Sequence, residues 1–138
     1  MTVLIDTNVI LDVLLQRHEF LQASSGVILL SERSIVEGYV TASAVTDIFY
    51  ITNNTYKDKR KTTRLIKDVL KTVNVAAVSG EEIHRALELD WDDFEDAVQY
   101  TTGEHIQADY IITRDPSGYG DSSIPVIQPA DFLTLMEQ

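Results

Sequence analysis

The chain has 138 residues, no cysteine, and a formal net charge of −11 from 22 acidic and 11 basic side chains. A chain of this length can bury enough surface to fold as one domain, residues 1–138, and the lack of cysteine excludes disulfides and thiolate metal sites. The acidic balance argues against non-specific nucleic-acid binding, because an average face of the molecule repels phosphates.

Hydrophobic periodicity and capping residues predict strands that alternate with helices along the whole chain. In chain order we predict a strand at Thr2–Ile5, helices at Val9–Leu15 and Phe20–Glu32, a strand at Ile35–Thr41, helices from Ser43 to Thr52 and from Lys57 to Thr72, a strand at Asn74–Val78, helices opening at Ser79 and at Asp92, strands at Tyr110–Thr113 and Pro125–Ile127, and a helix from Pro129 to near Met136. This alternation predicts a three-layer α/β/α sandwich around a central, mostly parallel sheet of four to five strands.

The apolar stretches are far shorter than the ~20 residues that a membrane-spanning helix needs. The N-terminus has neither a basic region nor a small-residue cleavage site, so no signal peptide is visible. We therefore expect a cytoplasmic protein that does not enter a membrane.

The basic residues are concentrated in one segment. Five of the eleven lie within eight residues, at Lys57, Lys59, Arg60, Lys61 and Arg64. The acids cluster as well, with eight of the 22 between residues 81 and 96. This segregation predicts one basic patch on an otherwise acidic molecule.

Two acids follow predicted strands directly. Asp6 ends the first strand and Asp115 comes just after the fourth. Ligands of open parallel sheets bind beyond the carboxyl ends of the strands, so the two acids share one edge if these strands are neighbours. Each also has a simpler interpretation, Asp6 as a helix cap and Asp115 as a turn residue before Pro116.

Two helical acids are placed to join them. Asp47 falls on a predicted inward stripe that includes Ile48 and Ile51, and Asp96 borders Ala97 on the helix that opens at Asp92. The alternative for Asp47 is an exposed position at the edge of its helix. Four half-buried carboxylates would repel one another, and a divalent cation removes that problem. Oxygen-only ligands favour Mg²⁺ or Mn²⁺.

Several other classes lack their residues. The three histidines are scattered, and neither a serine-histidine-acid triad nor a phosphate-binding glycine loop is present. A phosphoacceptor receiver domain needs a lysine late in the chain, but no lysine follows Lys71. A phosphatase with an aspartate nucleophile needs a second acid two residues after Asp6, and that position is Asn8.

Four segments in register resemble the motifs of the PIN-domain family, compact metal-dependent nucleases that include the toxins of VapBC toxin–antitoxin pairs. They read LIDTNVILDVLL, YVTASAVTDIFYI, DFEDAVQY and ADYIITRD, and IPVIQPADFL extends the match to the end of the chain. By this resemblance the four catalytic acids are Asp6, Asp47, Asp96 and Asp115, and the supporting polar residues are Thr7, Asn8, Ser43 and Thr113. Two departures are visible: the second acid is often a glutamate, and the loop after Asp115 reads Pro-Ser-Gly-Tyr where many relatives carry an acid before an aromatic residue.

The resemblance implies an endoribonuclease that uses Mg²⁺ or Mn²⁺ held by Asp6, Asp96 and Asp115. It also implies a homodimer and, for a VapC-like toxin, an antitoxin that blocks the acidic groove. The candidate RNA contacts are the basic residues Lys57, Lys59, Arg60, Lys61, Arg64 and Arg114, and the alternative for the patch is a solvated helix face. The alternative function is a degenerate PIN domain that serves as a metal- or nucleic-acid-binding scaffold.

Overall fold

Five parallel strands form one sheet at the centre of the computed structural model, which describes all 138 residues. The strands are β1 (Thr2–Ile5), β2 (Glu37–Thr41), β3 (Asn74–Ala76), β4 (Tyr110–Ile112) and β5 (Val126–Ile127). Their spatial order is β3-β2-β1-β4-β5, and every neighbouring pair is parallel. The predicted fold class is confirmed, with five strands.

Seven α-helices surround the sheet. They are α1 (Thr7–Leu14), α2 (His18–Glu32), α3 (Ala42–Tyr56), α4 (Lys59–Val69), α5 (Gly80–Leu89), α6 (Phe94–His105) and α7 (Pro129–Met136). Each predicted helix is present with ends shifted by a few residues. A short 3₁₀ helix, Pro116–Tyr119, occupies part of the predicted loop after β4. No helix is long and apolar enough to cross a membrane.

The cap of α3 differs from the prediction. Thr41, the last residue of β2, has extended backbone, and its Oγ1 accepts a hydrogen bond from the Ala44 amide at 3.2 Å. Ser43 lies inside the first turn and is exposed. The cap falls two residues before Ser43 because the strand runs directly into the helix and leaves no loop between them.

Side chains of the central strand alternate between two apolar layers. Val3 and Ile5 join the larger core, which is built from α1, α2, α3 and α7, whereas Leu4 joins Tyr100 and Tyr119 on the other face. This alternation follows from the two-residue period of a strand, and it confirms that helices cover both faces of the sheet.

The chain leaves β1 toward β2 and β3 and later returns to the other side as β4 and β5. The carboxyl ends of β1 and β4 therefore border the point at which the strand order reverses. In sheets of this kind, ligands bind in the crevice at that point.

Candidate active site

Asp6 is a buried carboxylate at the carboxyl end of β1. Its amide donates to Ile112 O on β4 at 2.9 Å. Its Oδ1 accepts hydrogen bonds from the Thr7 amide (2.7 Å) and from Gln99 Nε2 (2.6 Å), and its Oδ2 accepts one from Thr113 Oγ1 (2.6 Å). Asp6 therefore caps α1 and is also held by β4 and α6. A carboxylate has about four acceptor sites, so these three bonds leave one free on Oδ2.

Thr113 connects the acids at the ends of β1 and β4. Its buried hydroxyl donates to Asp6 and accepts a hydrogen bond from the Asp115 amide at 3.1 Å. Asp115 itself is exposed, and its Oδ1 accepts a hydrogen bond from Ser117 Oγ at 2.5 Å. One hydroxyl thus fixes the backbone of Asp115 relative to the carboxylate of Asp6.

Asp96 lies in the first turn of α6, half-buried beside the loop that follows Asp115. The side chain of Asp93 caps this helix by accepting a hydrogen bond from the Asp96 amide at 3.0 Å. Burial, reinforced by the charges of Asp6, Asp93, Glu95 and Asp115, raises the pKa of Asp96 to about 7. A side chain at Gly118 would place its Cβ 2.2 Å from Asp96 Oδ2, so the loop backbone packs directly on this carboxylate.

Asp47 and Glu95 both line a groove, together with Thr7 and Asn8. The Thr7 hydroxyl donates to Glu95 Oε1 at 3.3 Å. Partial burial, followed by the charges of Asp47 and Asp6, raises the pKa of Glu95. The groove therefore gathers negative charge from β1, α3 and α6 in one place.

The predicted inward stripe of α3 is confirmed at Ala44 and Ile48 and wrong at Ile51 and Asp47. The buried residues of α3 are Ala44, Ile48 and Thr52, each four apart, and Ile51 is 42 % exposed. Asp47 is exposed as well and belongs to the groove wall. The alternative interpretation of Asp47, an exposed position at the edge of its helix, is thus correct. Asp47 still lines the same groove as Glu95.

Sequence reasoning missed three contributors: Glu95, Gln99 and Tyr119. Gln99 is 1 % exposed, and its Nε2 lies 3.3 Å from the Tyr119 hydroxyl as well as near Asp6, while its Oε1 has no hydrogen-bond partner. Burial, followed by the charges of Asp6 and Asp96, raises the pKa of Tyr119 well above its usual range, so its hydroxyl stays neutral. The available signal was spacing, because Gln99 is a polar residue three positions after Asp96 on a buried helix face.

Arg114 does not point into the groove. Its Nε lies 2.9 Å from Asp12 Oδ2, and its guanidinium stacks on the Phe20 ring at 3.9 Å from the centroid. Asp12 is completely buried and also pairs with Arg17 at 3.4 Å. The expectation that Arg114 contacts a phosphate therefore has no support from its position.

The remaining predicted RNA contacts lie on or next to α4 and not in the groove. Lys59, Arg60 and Arg64 are exposed. Lys61 packs over the Tyr56 ring at 4.0 Å, and Lys57 ends α3 with a left-handed backbone, φ 53°. The sequence cluster is thus a surface of α4 from which Lys61 is partly withdrawn.

The acids of the groove suit a hard divalent cation, although no three of them are close enough together to hold one ion directly. All four ion pairs of the protein involve other acids, so no base neutralises Asp6, Asp47, Glu95, Asp96 or Asp115. Like charges without a counterion repel one another, which keeps such side chains apart. Mg²⁺ retains several waters and needs only one or two carboxylates, so this donor set fits it.

Comparison with known proteins places these features in a family context. The family model described as "PIN domain" matches residues 2–117. No curated protein matches the chain significantly.

Solved structures share the fold at low sequence identity. VapBC2 from Rickettsia felis, bound to a DNA fragment from its promoter, has a TM-score of 0.70 at 10 % identity over 92 % of this chain and 97 % of that chain. VapC20 from Mycobacterium tuberculosis, described as a sarcin-ricin loop cleaving toxin, has a TM-score of 0.68 at 11 % identity over 84 % and 92 %. FitAcB from Neisseria gonorrhoeae has a TM-score of 0.64 at 16 % identity over 93 % and 98 %. At such identities the likeness shows the fold.

Proposed function

The chain belongs to the PIN-domain family, and on that premise we propose that it is a Mg²⁺- or Mn²⁺-dependent endoribonuclease, the toxin of a VapBC-type pair. The observation that carries the proposal is the set of unneutralised carboxylates at the point where the strand order reverses, with a half-buried Asp96 whose pKa is raised to about 7. Such a concentration of negative charge destabilises a fold unless a cation is bound there. In this proposal residues 1–138 form a single PIN domain.

Asp6, Asp96 and Asp115 would hold the metal, in part through its bound waters, and Asp47 would be the fourth acid of the site. A bound divalent ion supplies Lewis-acid stabilisation of the phosphate and a water of lowered pKa. The protein's own contribution is orientation. Thr113 fixes the Asp6 carboxylate through a 2.6 Å hydrogen bond, and Asn8, exposed on the groove, is placed to hold a water.

Thr7 and Ser43 have different surroundings within the proposed site. The Thr7 amide holds Asp6 and its hydroxyl holds Glu95. Ser43 contacts only the Thr41 hydroxyl, at 3.3 Å. In this proposal Thr7 therefore orients acids directly, and Ser43 supports the start of α3.

The partners follow from the relatives. A complex from Klebsiella pneumoniae with a TM-score of 0.67 at 15 % identity is described as a toxin–antitoxin complex. We propose an antitoxin that covers the groove and places an arginine against its carboxylates, since a guanidinium pairs well with such groups. We also propose a homodimer and a cytoplasmic location, as expected for this family.

Cleavage of RNA by the purified protein tests this function. Total RNA, folded tRNA and a sarcin-ricin loop fragment are incubated with Mg²⁺, Mn²⁺ or EDTA. We expect cleavage that stops with EDTA and in Asp6→Asn and Asp96→Asn, while the charge-matched surface variant Asp131→Asn cleaves normally. Cleavage that persists in EDTA or in both site variants would refute the assignment.

One observation favours the alternative, a scaffold without catalysis: no three acids are preassembled for one ion. The same experiment separates the two. If no RNA is cut with any metal, while Mn²⁺ still binds the protein in calorimetry, the scaffold function is the correct one.

A further inference from the structure

Positive charge is confined to one segment of this protein. Residues 57–71 contain seven of the eleven bases and two of the 22 acids, a net charge of +5, so the rest of the chain carries −16. Of the four bases outside the segment, Arg17 and Arg114 pair with Asp12, and Arg85 pairs with Glu104. Only Arg33 remains unpaired there. A polyanion therefore has one region of the surface to which it is attracted.

The segment presents its charge on one face of α4. We call this the basic α4 face, and it consists of Lys59, Arg60, Thr63, Arg64, Lys67 and Lys71. Thr62, Ile66 and Val69 are buried on the opposite side of the helix, which orients the bases outward. One acid, Asp68, lies among these residues. Its Oδ1 is 3.7 Å from Lys71 Nζ, and both side chains are exposed.

The composition of the face favours a phosphate backbone over a protein. None of its lining residues is hydrophobic. The centres of protein–protein interfaces are apolar and aromatic, and they are depleted in lysine. Lysine, arginine and threonine side chains are the usual contacts to phosphate oxygens.

The basic α4 face lies at the opposite edge of the sheet from the carboxylates. At one end of α4, the preceding Tyr56 hydroxyl donates to Leu14 O at 2.6 Å. Leu14 is the last residue of α1. The eight residues of this helix span about 12 Å from the end that Asp6 caps. At the other end, Ser31 Oγ donates to Thr72 O at 2.6 Å, just before β3 begins at Asn74. Both ends of α4 are therefore tied to the amino-terminal edge.

We propose that the basic α4 face anchors the phosphate backbone of a folded RNA at a distance from the carboxylate groove. This inference rests on the proposed ribonuclease function and names its substrate class: an RNA large enough to reach both surfaces. The anchor supplies the attraction that the acidic groove lacks. It holds the RNA while another part of the same molecule enters the groove.

Binding without metal tests the anchor independently of catalysis. Fluorescence anisotropy with labelled, folded tRNA in EDTA is measured between 50 and 200 mM salt for the wild type and for Arg60→Gln/Arg64→Gln. The control is Arg33→Gln/Arg85→Gln, which removes the same charge outside residues 57–71 and leaves the basic α4 face intact. Thermal melts confirm that both variants are folded, as expected for exposed positions.

We expect the Arg60→Gln/Arg64→Gln variant to bind about tenfold more weakly and to lower the slope of log affinity against log salt by roughly 1.5, because two phosphate contacts are lost. The control should keep the wild-type slope. An equal loss in both variants, or no tRNA binding by the wild type in EDTA, would overturn the proposal. Poly-glutamate that binds as tightly as tRNA would overturn it in favour of an acidic protein partner.

If RNA is also cleaved, the anchor variant should raise KM for folded RNA and leave kcat unchanged, since the groove is untouched. The two proposals fail differently. A protein that binds tRNA through the basic α4 face but cuts nothing refutes the ribonuclease alone. A protein that cuts RNA with no dependence on Arg60 and Arg64 refutes the anchor alone.

Discussion

Asp96→Asn should make the metal-free protein more stable at neutral pH while abolishing metal binding. Asp96 is half-buried among acids that no base neutralises, and its pKa is raised to about 7 from the ordinary 3.8. An asparagine keeps the shape of the side chain and removes the charge. The amide of residue 96 still donates to Asp93, so the helix cap is preserved.

The magnitude follows from linkage. One pKa unit corresponds to about 1.4 kcal/mol, so a carboxyl with a pKa of about 7 lowers the free energy of unfolding at pH 7.5 by up to about 4 kcal/mol. Solvent reaches part of the side chain and screens it, which reduces the expected gain to about 1–2 kcal/mol. For a domain of this size that gain raises Tm by about 4–8 °C.

The raised pKa of Asp96 predicts the direction in which pH changes the stability difference between the wild type and Asp96→Asn. Below pH 3.8 Asp96 is protonated in both the folded and the unfolded state and has no effect. As the pH rises toward 7, the unfolded chain releases its proton while the folded protein retains it, so wild-type stability falls. The stability advantage of Asp96→Asn should therefore be small at pH 4, grow up to pH 7 and then level off.

This pH dependence is measured by thermal melts in EDTA from pH 4 to pH 8. The melts compare the wild type, Asp96→Asn and the surface control Asp131→Asn. In melts without EDTA, Mn²⁺ at ten times its Kd should stabilise the wild type by about 1.4 kcal/mol and so raise its Tm, and it should not change the Tm of Asp96→Asn. If Asp96→Asn is destabilised at pH 7.5, or its advantage does not change with pH, the carboxylates of the groove do not repel one another as argued.

Two further substitutions test how the acids are held. Thr113→Val removes the hydroxyl that binds both Asp6 and the Asp115 amide. It should weaken Mn²⁺ binding in calorimetry by about 10–100-fold, and Thr113→Ser should restore the affinity. Equal affinities in the valine and serine variants would contradict this role. Gly118→Ala introduces a Cβ 2.2 Å from Asp96 Oδ2 and should reduce Mn²⁺ affinity. The control is Gly80→Ala, whose Cβ meets nothing within 4 Å and which should leave Mn²⁺ affinity unchanged. Unchanged affinity in Gly118→Ala would show that the loop moves freely.

The sequence predicted the fold well because its signals are local. Strand composition and the apolar periods each act within a few residues and agree with one another. Ser79 precedes α5 as predicted but makes no side-chain capping bond, and α6 is capped by Asp93, one residue after the predicted Asp92. The adjacency of β1 and β4 was a condition of the site hypothesis, and the sheet order confirms it. Once two parallel strands are neighbours, the acids that follow them must lie at one edge.

The sequence was less informative about which way side chains point. The stripe on α3 was assigned through Ile51 because isoleucine is usually buried, but the helix packs through Thr52. The spacing of three on α6 places Gln99 near Asp96, but no local signal pairs Gln99 with Asp6, which is 93 positions away. Contacts of this kind are decided by tertiary packing and cannot be deduced from spacing alone.

Asp12 shows how the groove keeps its negative charge. Arg114 is the base nearest to Asp115 in sequence, and an arginine there would neutralise the acids and compete with a cation. Asp12 is completely buried, accepts a hydrogen bond from Ser24 Oγ at 2.8 Å and pairs with Arg114 Nε at 2.9 Å. Breaking a buried ion pair costs about 3–5 kcal/mol, so Arg114 does not leave this position readily. The ion pair between Asp12 and Arg114 therefore keeps a base away from the carboxylates of the site.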